Sequence, residues 1–219
     1  MAVFSKQVKK LIIGVMKALD IYSIYLLRVG GVPREDGWFR SFREERSVDL
    51  DGNPIPWLTY PAIAFIARRI RPDMSVFEYG CGSSTLWWAQ RVKEVVACEH
   101  DREWYRSVVT KVPDNATVHH VPLEYGGEYC HKVSATGKKF DIVVVDGRDR
   151  VNCVRNAVGS LAPGGVFIWD NSDREEYREG YQLLFDQGFK KIEFTGMIPI
   201  MSCRSETGIF YRQENCLGI

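Results

Sequence analysis

Two short runs of the chain are apolar almost throughout. Residues 140–145 read FDIVVV and residues 165–169 read GVFIW, with Asp141 the single charged side chain in either. A half-exposed strand or a surface helix would alternate polar with apolar positions, so runs of this kind fit strands covered on both faces. Covering both faces of a sheet requires helices above and below it, and hence parallel strands. Further short apolar runs at 75–79, 94–98 and 117–123 are separated by stretches long enough for helices. The alternation predicts right-handed crossovers and a doubly wound, mostly parallel α/β sheet. Two last runs, 189–195 and 208–212, flank a loop containing Pro199 and read as a closing hairpin, which brings the sheet to seven strands.

With 219 residues, 45% of them hydrophobic, the chain can bury a full core. Lysine and arginine number 29 against 28 acidic residues, a net charge of +1, so no broad electrostatic attraction to nucleic acid is expected. The partner is expected to be a small molecule, and any charge-dependent recognition must be local. Six cysteines (Cys81, Cys98, Cys130, Cys153, Cys203, Cys216) are scattered singly, which suits reduced thiols in a cytoplasmic protein.

The first 56 residues differ in texture from the rest. Lys6, Lys9 and Lys10 precede an apolar run, Leu11 to Met16, that Lys17 and Asp20 interrupt. A spanning helix needs about 20 mostly apolar residues, so an amphipathic helix is expected instead. It either packs on the domain or lies at a membrane surface, a peripheral contact assigned to residues 1–28. Residues 30–56, dense in Gly, Pro, Arg and acids, read as a linker or lid. The division is therefore 1–56 for the helix and lid segment and 57–219 for the α/β domain. A helix over 62–70 is expected to open that domain, with Thr59 or Tyr60 just outside it and Pro61 in its first turn.

Between the first strand and the next helix stands FEYGCGSST, residues 77–85. In a doubly wound sheet this turn lies where a ligand approaches the backbone, and Gly80 and Gly82 allow that approach. Ser83, Ser84 and Thr85 can cap the helix or offer hydroxyls to a polar ligand. A dinucleotide-binding fingerprint would place glycine at Thr85, which disfavours a nicotinamide-dependent oxidoreductase.

The stretch Glu78-Tyr79-Gly80-Cys81-Gly82 resembles motif I of the class I S-adenosylmethionine-dependent methyltransferases, with Ser84 where many members carry a third glycine. The resemblance runs from about residue 75 to the carboxyl terminus, and it implies the Rossmann-like methyltransferase fold with S-adenosylmethionine as cofactor. It implies cofactor contacts at Glu78, Gly80, Gly82 and Ser84. It further implies that Glu99, ending the second strand, receives the ribose hydroxyls and that Glu124, beyond the third, contacts adenine. A vicinal diol matches two oxygens of one carboxylate.

Asp146 ends the fourth strand, and Asp170 and Asn171 end the fifth. This pattern is similar to the divalent-metal-dependent O-methyltransferases of the catechol and caffeoyl-coenzyme A type, and the likeness implies Mg²⁺ or another divalent cation on Asp146, Asp170 and Asn171. Those enzymes carry lysine three residues after the first ligand, where this chain has Asp149, a base, a further ligand or an ion-pair partner of its arginine neighbours. Asp146, Asp149 and Asp170 are the catalytic candidates. Arg148 and Arg150 suggest an anionic group on the substrate, and Trp57 and Tyr60 an apolar wall. The expected reaction is methyl transfer to a small acceptor, at oxygen if a metal takes part. Its non-enzymatic rival is a membrane-associated partner protein on the same scaffold.

Overall fold

The computed structural model describes residues 6–219. Seven strands form one sheet: β1 (Ser75–Tyr79), β2 (Glu94–Glu99), β3 (Ala116–His120), β4 (Phe140–Val145), β5 (Leu161–Asp170), β6 (Lys190–Met197) and β7 (Arg204–Tyr211). Their order is β3-β2-β1-β4-β5-β7-β6. The first five pair in parallel, whereas β7 runs antiparallel between β5 and β6. This is the Rossmann-like methyltransferase fold, with the expected hairpin inserted so that the last strand lies inside the sixth. The order reverses at β1 and β4, so their carboxyl ends frame the cleft at which such sheets bind ligands.

The period-2 rule divides the sheet's side chains between two cores. From β4, Val143 and Val145 face one layer with Phe77, Tyr79, Phe167 and Trp169, while Ile142 and Val144 face the other with Val76, Val95, Val166 and Ile168. Three helices cover the first face: α8 (Glu128–Ala135), α9 (Arg150–Ala157) and α10 (Arg178–Asp186). On the second face lie α5 (Tyr60–Ala67) and α6 (Ser83–Ala89), which bury Ile66, Trp87 and Trp88. The remaining crossover helix, α7 (Arg102–Val109), begins at Asp101, whose carboxylate accepts a hydrogen bond from the Trp104 amide at 2.8 Å. As expected, α5 starts after Thr59 with Pro61 in its first turn, but it stops at Ala67 rather than continuing to 70.

The amino-terminal segment is more regular than its glycines and prolines suggest. Four helices occupy it: α1 (Lys6–Ala18), α2 (Ile21–Gly30), α3 (Val32–Glu35) and α4 (Trp38–Glu44). Residues 45–59 lack regular structure but are not free of the domain, because Val48, Ile55 and Leu58 are buried. Two contacts join α4 to the loop between β6 and β7: Trp38 Nε1 donates to Met201 O at 2.8 Å, and Ser41 Oγ accepts from the Ile200 amide at 3.1 Å. The first five residues of the segment expected at a membrane surface lie outside the described residues.

Candidate active site

A cleft of about 570 Å³ opens over the carboxyl ends of β1, β2, β4 and β5. Its floor is the glycine turn. Gly80 has φ +98°, a left-handed conformation that side chains resist, and its amide donates to Cys98 O at 2.8 Å. Gly82 is different: its φ of 164° is extended backbone, and a Cβ there would meet only Trp104 Cζ2, at 3.5 Å. Only Gly80 is required by its backbone conformation; at Gly82 the missing side chain leaves room beside Trp104. A third glycine is more tightly constrained. A Cβ on Gly147 would lie 2.0 Å from the Tyr129 hydroxyl, so the backbone after β4 is drawn against that ring.

Glu78 is almost fully buried beneath the turn. The Thr85 hydroxyl donates to its Oε2 and accepts from the Gly82 amide at 3.0 Å, while Oε1 has no partner. Burial pushes this carboxyl up to about 8, against the Thr85 hydrogen bond, which favours its ionised form. An orphaned carboxylate oxygen lining a cleft is stabilised by a cationic ligand group. Glu99 Oε1 accepts from the His100 and Asp101 amides, each at 2.8 Å, and Oε2 from the Cys81 amide at 3.2 Å. Three of roughly four acceptor sites are therefore taken, and the carboxylate ties β2 to the glycine turn while facing the cleft. His100 Nδ1 lies 2.8 Å from Glu99 Oε1 but off the hydrogen-bond direction. Ser84 lines the cleft, as expected. Burial, with Glu99 and Glu78 nearby, pushes the Cys81 thiol up, so it stays neutral.

On the opposite wall Asp146 and Asp170 are juxtaposed because β4 and β5 are neighbours in register. Burial raises Asp146 to about 6, with Arg150 opposing the rise. Asp170 is pushed well up by burial and then by the charge of Asp146, and it accepts a hydrogen bond from Thr207 Oγ1 at 3.3 Å. The two carboxyls, in hydrogen-bond contact, therefore titrate as a pair that shares a proton. Beneath them lies Arg150, buried, donating to Gly147 O at 3.0 Å, Asp146 O at 3.0 Å and Asp170 O, and lying 3.3 Å from Asp146 Oδ1. Four of the five guanidinium donors are thus taken by the protein. Arg150 is a brace rather than the expected substrate contact.

Three other expectations require correction. Asp149 stands in a left-handed conformation, φ +50°, with Oδ2 accepting from the Gly126 amide and Oδ1 from Asn152 Nδ2, each at 2.8 Å. Both oxygens are held away from the cleft, so Asp149 is neither its base nor a ligand there. Tyr60 is buried in the second core rather than on the cleft wall. Glu124 is exposed and packs beside Gly127, outside the cleft lining. Asp146, Asp170 and Asn171 reach one edge of the cleft. Arg150 lies 3.3 Å from Asp146 Oδ1, and Asn171 Nδ2 donates to Ser205 Oγ at 3.1 Å, which leaves the Asn171 amide oxygen free to accept or to ligate.

Trp57 and Arg148 line the cleft as expected; Arg148 is exposed and forms no ion pair among the described residues. Two of the lining residues that the sequence did not single out carry chemistry of their own. Trp104 projects from the first turn of α7, its Nε1 donating to Cys81 O at 2.6 Å. Arg174, after β5, joins Arg148 at the same edge and lies 3.7 Å from Glu176. An aromatic placed on the helix side of the second strand end was the available signal for Trp104; Arg174 sits among other charged residues with nothing to single it out.

Residues 77–172 match the family model described as a methyltransferase domain. No curated protein sequence matches the chain. Among solved structures, the O-methyltransferase from Bacillus cereus, in complex with SAH, superposes with a TM-score of 0.59 at 17% identity, covering 92% of this chain and 100% of that one. A precorrin 8w decarboxylase from Methanobacterium thermoautotrophicum gives 0.58 at 20% identity, covering 77% and 97%. The N-methyltransferase NodS from Bradyrhizobium japonicum gives 0.51 at 12% identity, covering 68% and 92%. The shared fold thus accommodates different chemistries. The domain match, the sheet order and the cleft over the glycine turn support a class I S-adenosylmethionine-dependent methyltransferase.

Proposed function

We propose that this protein transfers a methyl group from S-adenosylmethionine to a hydroxyl oxygen of a small acceptor. The observation that carries the reading is the pairing of two cleft walls: an orphaned buried carboxylate oxygen on Glu78 and a proton-sharing pair at Asp146 and Asp170. Glu78, the Gly80 turn and Ser84 form the cofactor side, with Glu99 offering its remaining acceptor site to a hydroxyl and Trp104 closing one flank. When bound, S-adenosylmethionine supplies an activated methyl group, so alignment and proton removal are what the chain must add. Asp146, raised to about 6, is ionised at neutral pH and basic enough to take a proton from an acceptor hydroxyl. Asp170 holds the Asp146 carboxylate through the hydrogen bond between them. Arg150 fixes both strand ends.

Arg148 and Arg174, at the mouth beyond this pair, suit an acceptor bearing a carboxylate or phosphate. Trp57 offers that acceptor an apolar surface. All six cysteines are free, which supports a reducing, cytoplasmic setting. The test is transfer of isotope-labelled methyl from S-adenosylmethionine to a panel of small hydroxyl and amine compounds, each with and without an anionic group. Label transfer to anionic hydroxyl compounds supports the reading; transfer confined to amines, or to neutral compounds, contradicts it.

A further inference from the structure

Neither α1 nor α2 contains a buried residue. Leu11, Ile12 and Val15 share one face of α1, and the apolar surface continues through Leu19, Ile21 and Ile24; Leu11 is 70% exposed, Leu19 64% and Ile24 60%. Soluble monomers rarely leave such a surface uncovered without a use for it. Charge indicates the use. Residues 6–30 contain Lys6, Lys9, Lys10, Lys17 and Arg28 against Asp20 alone, five cations to one acid. None of the five forms an ion pair among the described residues; Lys17 instead lies over the Tyr22 ring and Arg28 over the Phe39 ring. No helix among the described residues is long and apolar enough to cross a membrane.

We propose that α1 and α2 lie in the interface of an anionic lipid bilayer, with their apolar side chains among the upper acyl segments and their cations among the headgroups. A basic amphipathic helix too short and too charged to span is suited to that position, and each unpaired cation near an anionic surface adds to the attraction. A second copy of the chain fits less well, since a two-fold interface presents the same excess of cations from both sides. The arrangement has a consequence for the cleft. The helical extension is joined through Trp38 and Ser41 to the loop carrying Ile200 and Met201, and Met201 lines the cleft, so the bilayer and the cleft mouth are linked by a short rigid path.

The test is flotation of the full chain with vesicles of phosphatidylcholine alone or containing about one-third phosphatidylserine, with light scattering of the same samples without lipid. Binding to the anionic vesicles is expected to exceed binding to the neutral ones by at least about tenfold and to weaken with added salt. The double variants Leu11→Glu with Val15→Glu and Lys9→Glu with Lys10→Glu are each expected to lose most of it. All four residues are exposed, so the variants keep their fold, which is verified by circular dichroism and by unchanged binding of S-adenosylhomocysteine. Equal binding to both vesicles, binding to neither, or a dimer that the Leu11→Glu, Val15→Glu variant dissociates would overturn the proposal. Each of those results leaves the methyltransferase reading untouched.

Discussion

The carboxyl of Asp170 hydrogen-bonds that of Asp146 across the ends of two neighbouring parallel strands, and the buried guanidinium of Arg150 braces the backbone under both. The pair shares a proton, and Asp146, at the cleft edge, is positioned as the base. Asp146→Asn is expected to lower kcat by about 10²–10⁴-fold. In the wild type, kcat/KM should rise with pH through about 6 as Asp146 ionises, and this acidic limb should vanish in the residual activity of the variant. The stability sign runs the other way. A carboxyl raised in the folded state binds its proton more tightly there than in the unfolded chain, so its contribution falls as pH rises from its ordinary 3.8 to about 6. The melting temperature of Asp146→Asn relative to wild type should accordingly increase across that window.

Removing the brace is expected to act on folding before chemistry. Arg150→Met would leave three buried carbonyl oxygens without their donor and Asp146 without its counter-charge, at a cost of about 3–5 kcal/mol. Urea unfolding measures it; a loss below about 1 kcal/mol would show that the guanidinium is dispensable.

Gly147 and Tyr129 provide a packing test that no sequence pattern indicates. Gly147→Ala places a methyl group 2.0 Å from the Tyr129 hydroxyl and should destabilise by about 1–3 kcal/mol. In the Tyr129→Phe background the same substitution should cost less, because the clashing oxygen is gone. A double-mutant cycle with a coupling near zero would contradict the close approach.

Glu78 predicts proton release on ligand binding. Its carboxyl, raised to about 8, is largely protonated at pH 7 in the free protein and should ionise when a cationic ligand group arrives. Calorimetry at pH 7 in buffers of different ionisation enthalpy should report release of up to about one proton per S-adenosylmethionine bound, falling towards zero in Glu78→Gln. Uptake of a proton, or equal release by the variant, would contradict the assignment.

The sheet was legible because its evidence is local: the apolar runs at β4 and β5, interrupted only by Asp141, are short and rich in Val, Ile and aromatics, as strands covered on both faces are. The cleft's location followed, since Glu78, Gly80, Glu99, Asp146 and Asp170 all stand at strand ends. What sequence could not carry was direction. Arg150 sits one helical turn beyond Asp146, and only the folded backbone shows its fork turned inward to three carbonyls. Asp149 is adjacent to the cleft in sequence, but its left-handed backbone aims both oxygens at Gly126 and Asn152. Likewise α3 and α4 are too short for periodicity to reveal, and α4 is held by Trp38 and Ser41 contacts to a loop about 160 positions away.

The cleft over the glycine turn is expected to bind S-adenosyl compounds through Glu99 and its neighbours. Isothermal titration of the wild type and of Glu99→Gln with S-adenosylhomocysteine, with NAD as the control ligand, measures this. Saturable one-to-one binding by the wild type, markedly weaker binding by the variant, and none of NAD are expected. Absence of S-adenosylhomocysteine binding, or affinity identical in the two proteins, would contradict that expectation.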